Sequence, residues 1–181
     1  ARQMYLLQGE SITVAAELAE GYELANPVWT TEDANKITFA NASGAATTLK
    51  VANTLTDTFT ATVWANAKDE QPAVTGFAAA ATANRQSVRF SFAANDTKGL
   101  SGWMITDSSA APPLNDIGWT PVEDGMRTID IDGHSGASKT LPGTYYVWVK
   151  DDGGNVVRSE NAIKVYRLSF AAGEEGNGEM D

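Results

Sequence analysis

The chain has 181 residues, 43% of them hydrophobic, so it can bury a core and is not a wholly disordered segment. Its 13 lysines and arginines face 23 aspartates and glutamates, and the net charge of −10 repels phosphate backbones and argues against nucleic-acid partners. With no cysteine there can be no disulfide, thiolate chemistry or cysteine-ligated zinc.

No apolar run approaches the roughly 20 residues of a membrane-crossing helix, so membrane insertion is not expected of this segment. The opening ARQMYLLQGE lacks the basic-then-apolar layout of a signal peptide, and the chain reads as a segment of something longer. From there the dominant period is two. In SITVAAEL, Ile12, Val14, Ala16 and Leu18 alternate with Thr13, Ala15 and Glu17, which predicts a strand. The alanines would also suit a helix, but the β-branched start and Gly21 favour the strand. Further on, Leu49 and Val51 flank Lys50, and Phe59, Ala61 and Val63 alternate with threonines. Val88, Phe90 and Phe92 alternate with Arg89 and Ser91, and Ile129 and Ile131 with Asp130 and Asp132. Each run is short and bounded by Gly, Pro, Asn or Asp, the punctuation of an antiparallel all-β sandwich.

Two similar stretches, DTFTATV at 57–63 and GTYYVWV at 143–149, begin about one small sandwich domain apart. Each joins a turn residue, a threonine, an aromatic and alternating apolar positions. In an immunoglobulin-like sandwich this pattern opens the strand called F, whose aromatic can bond back to upstream backbone as a tyrosine corner, with Tyr145 the expected corner residue. Between them, KDEQPAVTGF carries a charge cluster, Pro72 and Gly76. Domains are therefore expected at 1–73 and 74–168, followed by an acidic, glycine-rich tail at 169–181.

Four stations of the second half resemble a repeat of large bacterial secreted and surface proteins. They are T-G-F at 75–77, D-x-x-G-L-x-G-W at 96–103, A-x-P to G-W at 110–119, and Y-x-W-x-K-D-D-G-G-N at 146–155. The stretch 123–138, EDGMRTIDIDGHSGAS, departs from that pattern as an insertion. The first half is similar to a different group of bacterial immunoglobulin-like domains, through Val28, Trp29 and Thr30, with Trp29 the expected core aromatic. The resemblance implies two tandem immunoglobulin-like β-sandwich domains in an extracellular, multi-domain cell-surface or secreted protein. Such modules serve as spacers or in adhesion, with no shared catalytic set and no cofactor. Their partners are neighbouring domains of the same polypeptide, and host or cell-wall glycans or proteins.

Candidate chemistry is sparse. GHSGASKT at 133–140 approaches a phosphate loop, but Ser138 replaces the required glycine, and a turn and strand follow where a helix is needed. His134 is the only histidine and lacks the partners of a triad or zinc site. Asp130 and Asp132 share a strand face, as a glycosidase pair would, yet Ile129 and Ile131 claim the core face and leave the acids to water. Asp151, Asp152 and Asn155 are hard oxygen ligands suited to calcium, although the same residues with Gly153 and Gly154 make a hairpin turn. Lys150 and Asn161 are a candidate pair for a lysine–asparagine cross-link. Trp103 and Trp119 stand at core stations. If Tyr145, Val147 and Val149 point inward, then Tyr146, Trp148 and Lys150 point outward, and Tyr146 and Trp148 become the candidate ligand-binding pair. The opposite parity remains open from sequence. The expected function is a non-catalytic structural spacer, with a glycan- or protein-binding module as the alternative and an enzyme the least expected.

Overall fold

The computed structural model describes residues 3–133 and 138–169. Every regular element among them is a strand, and every strand pairing is antiparallel. Contacts divide the chain into two compact units, Ala1–Glu70 and Gln71–Asp181.

In the first unit, β1 (Ser11–Ala15), β4 (Ala46–Val51) and β3 (Ile37–Phe39) form one sheet in the order β1-β4-β3. A second sheet pairs β2 (Tyr22–Thr31) with β5 (Val63–Asp69). Along β4 the predicted alternation holds: Thr47, Leu49 and Val51 are buried while Thr48 and Lys50 are exposed. Val28 and Trp29, consecutive in β2, are both buried, which strict alternation forbids. The β2–β5 register shifts between Leu24 and Trp29, and both amides donate to the Ala42 carbonyl instead. The bulge thus turns two neighbours inward, and the Trp29 indole NH donates to the Gly44 carbonyl at 2.8 Å.

The second unit is larger. Its first sheet runs β10 (Thr128–Asp132), β7 (Val88–Asn95), β11 (Ser138–Lys139), with β6 (Ala73–Ala81) also along β7. The other runs β13 (Val156–Arg158), β12 (Gly143–Asp151), β8 (Leu100–Thr106), β9 (Thr120–Pro121), with β14 (Ile163–Val165) also on β12. Phe77, Phe90 and Phe92 from the first sheet meet Trp103, Ile105, Tyr145, Val147 and Val149 from the second in one buried cluster. Phe77 stacks on Phe90 at 5.5 Å, and Phe92 meets the Trp103 edge at 5.4 Å.

Two expectations change. The stretch at 57–63 is not the start of a strand, because β5 begins only at Val63. Residues 54–62 keep alternating exposure, with threonines out and Leu55, Phe59 and Ala61 half-buried, yet belong to no ladder. Alternation reports which side a residue faces and does not by itself supply a hydrogen-bonding neighbour. The 57–63 and 143–149 similarity therefore does not map strand onto strand. The SITVAAEL strand also stops at Ala15, and Leu18 lies outside it, exposed.

Tyr145 does bond back. Its buried hydroxyl donates to the Leu141 carbonyl at 2.9 Å and its ring tilts against Phe90 at 5.3 Å. Burial, and secondarily the Asp107 carboxylate, raise this phenol above its ordinary value of 10.0. The neutral form is favoured in the folded state, so its stabilising effect is complete below that value and is lost as pH rises through the raised folded one. Tyr145→Phe should cost about 1 kcal/mol in urea unfolding at neutral pH. The gap between wild type and variant should shrink above pH ~10, as equilibrium unfolding at alkaline pH would read.

Candidate functional site

The outer face of the β8–β12 sheet brings the outward aromatics together. Tyr145, Val147 and Val149 fill the sandwich interior, and Trp148 lies on the opposite face, which decides the parity left open by sequence. Facing out does not expose it: Trp148 is 6% accessible and packs with Met104 and Trp119, flanked by Tyr146 and Val156. Its indole NH donates to Thr106 Oγ1 at 3.1 Å.

Residues 107–119 fold over this face and are tied down by side chains of the sheet. Lys150 Nζ donates to the Leu114 carbonyl at 3.0 Å and lies 5.1 Å from the Trp119 ring centre. The Trp119 indole donates to the Pro113 carbonyl at 2.8 Å, and Arg158 reaches the Ser109 carbonyl at 3.4 Å. The Arg158 guanidinium sits 4.9 Å over the Tyr146 ring and 5.8 Å from that of Trp148. Trp119, expected at a core station, therefore packs in this outer layer, apart from the central cluster that holds Trp103. Of the candidate ligand-binding pair, Tyr146 keeps partial exposure and Trp148 is covered.

The acid-and-glycine stretch at 151–155 is organised as a turn. The Asp151 carboxylate is buried and accepts from the Asn155 amide at 2.8 Å and from Asn155 Nδ2 at 2.7 Å. The Asp151 amide returns to the Asn155 carbonyl at 3.2 Å, and Gly154 takes φ +89°. Asp152 places its amide on the Gly99 carbonyl at 3.1 Å. Across from it, buried Asp96 caps its own turn, its Oδ1 accepting from the amides of Lys98 and Gly99 at 2.8 Å each. Gly99 takes φ +143°, a backbone conformation that residues with a side chain rarely adopt, so the glycine of the D-x-x-G spacing has a backbone reason. Among the described residues no group of three His, Cys, Asp or Glu side chains is placed to hold a metal ion.

The other candidates are scattered. Asp130 and Asp132 are exposed on β10 while Ile129 is buried. Asn161 Nδ2 donates to the Phe77 carbonyl at 2.8 Å, whereas Lys150 is held on the outer face, so the cross-link pair reaches different partners. His134 and the rest of 134–137 within the 133–140 stretch lie outside the described residues. Sequence reasoning missed Arg158 and the 107–119 segment as the cover of Trp148. An arginine two residues beyond a strand start gives no warning that it will lie over Tyr146.

Removing the covered indole should act on stability: Trp148→Ala should lose about 3–5 kcal/mol in chemical denaturation, with Tyr146→Ala costing clearly less. Asp151→Asn turns an acceptor into a second donor against Asn155, and should lower stability by about 1–3 kcal/mol, read by the same unfolding curves. No family model, curated protein or solved structure was found to match the chain.

Proposed function

We propose that the chain is a non-catalytic structural segment of a larger bacterial surface or secreted protein, made of two tandem immunoglobulin-like sandwiches that space or present other domains outside the cell. The observation that carries this reading is the fate of the outward aromatics. Trp148, Trp119, Tyr146 and the cations Lys150 and Arg158 are used to fasten the 107–119 segment to its own sheet, which stiffens the second unit. A Tyr145 hydroxyl bonded four residues upstream and a buried Trp103 at the centre of the β8 strand are features that immunoglobulin-like sandwiches share. The stations at 75–77, 96–103, 110–119 and 146–155 support the bacterial surface context. The large negative net charge suits repeated modules that must repel one another and stay dispersed.

A second reading, a glycan- or protein-binding module, is favoured by one feature: the Arg158 guanidinium stacked on the partly exposed Tyr146 ring. Force spectroscopy on the full chain, held at its two ends, should give two separate unfolding steps. A glycan array and a pull-down with cell-wall fragments should give no saturable hit. A hit abolished by Tyr146→Ala or Arg158→Ala, with unchanged melting, would transfer the assignment to the binding module.

A further inference from the structure

Tension in a chain reaches a folded unit through its first and last elements. In the second unit these are β6 and β14, and each is held at its outer end by a short ladder. The start of β6, Ala73–Thr75, pairs with Ala93–Asn95 of β7, and Ile163–Val165 of β14 pair with Gly143–Tyr145 of β12. Among the described residues, β6 pairs only with β7 and β14 only with β12. Both outer ladders stop at the same hydrogen bond. The β6 register shifts between Thr75 and Ala78, and within that shift the Phe77 carbonyl accepts from Asn161 Nδ2 at 2.8 Å. Phe77 lies just inside the 73–75 ladder, and Asn161 lies just inside the 163–165 ladder. The bond also crosses from one sheet to the other, because Asn161 stands in the connection between β13 and β14, both paired with β12. Each partner is anchored behind it. Buried Ser159 donates its hydroxyl to the Asn161 carbonyl at 2.8 Å and its amide to the Val147 carbonyl at 2.9 Å. The Phe77 ring is buried and stacked on Phe90.

We propose that the Asn161–Phe77 bond is a latch between the two loaded strands, which stops them peeling from the sandwich when the segment is under tension. The 73–75 and 163–165 ladders lie outside it and open first, since each is short and ends where the chain leaves the unit. Each peeling front then arrives at the same bond from its own side, so the two partners are pulled against each other. Behind the bond, further peeling of β6 must draw the Phe77 ring out of the central cluster, which exposes apolar surface to water. On the other side it must break the Ser159 contacts to β12. The load arrives through the covalent chain at residues 71–72, and every contact of the latch lies within the second unit. Its use under tension rests on the spacer reading.

The test holds the full chain at its two ends under constant force and follows the second unit, whose unfolding step is the longer of the two. Before that step the wild type should show a small reversible lengthening, at most roughly 35 Å for residues 71–76 and 162–165 fully extended. Asn161→Ala and Asn161→Asp each remove the amide donor, and each should shorten the lifetime of the latched state about five-fold, the equivalent of one net hydrogen bond. Urea unfolding without force checks that both variants are folded. Asp151→Asn, which weakens the 151–155 turn away from the loaded strands, should leave that lifetime unchanged although it lowers stability at rest. Asn161 variants that last as long as the wild type under force overturn the proposal. So does an equal shortening by Asp151→Asn, or a second unit that opens with no lengthening before its main step. The spacer reading fails separately, by a saturable hit in the glycan array or the pull-down.

Discussion

Strand β12 is packed on both faces, and the second unit is built outward from that double burial. Its odd residues, Tyr145, Val147 and Val149, close the sandwich against Phe90 and the rest of the central cluster. Its even residues Tyr146 and Trp148 meet Met104 and Trp119 under the 107–119 segment. A strand in this position must be apolar in both phases, which is why YYVWV reads as a nearly continuous hydrophobic run instead of an alternating one. The outer layer is thin, and its long connection is tied down because Lys150, Arg158 and the Trp119 indole donate to carbonyls along 107–119.

The buried acids follow the same economy of backbone groups. Asp96 and Asp151 are both nearly inaccessible, and each spends its carboxylate on amides of its own turn. Both turns lie at one end of the β8–β12 pairing, where Asp151 stands opposite Leu100, with Asp152 meeting Gly99 between them. An aspartate used this way resembles a metal ligand in composition while acting as a clamp for the chain. Among the described residues the first unit has no strand comparable to β12: its β5 pairs with β2 alone and has no fully buried residue, so less apolar surface is removed from water.

Much of the fold was legible because period-two alternation and turn residues are local properties. Val88, Phe90 and Phe92 face in, Asp130 and Asp132 face out, and Leu49 and Val51 flank an exposed Lys50, all as their spacing requires. Tyr145 was legible too, since a glycine, a threonine and an aromatic place a hydroxyl within reach of the preceding turn. The threonine-rich stretch before β5 misled for the same reason: it alternates without having a neighbour. The bulge that buries both Val28 and Trp29 left no trace in the pattern, because a register shift depends on the partner strand.

By itself the sequence determined an all-β antiparallel chain, the inward sets of β4, β7 and β10, the hairpin chemistry of DDGGN, and the absence of thiol chemistry. These follow from side-chain period, backbone preference and composition, which need no distant partner. Only the tertiary structure decided that Trp148 faces outward and is nonetheless covered, that Arg158 lies over Tyr146, and that a bulge turns both Val28 and Trp29 inward. Each depends on which remote segment comes to lie against a given face, and that is fixed by the packing of whole strands and loops, not by the residues of any one stretch.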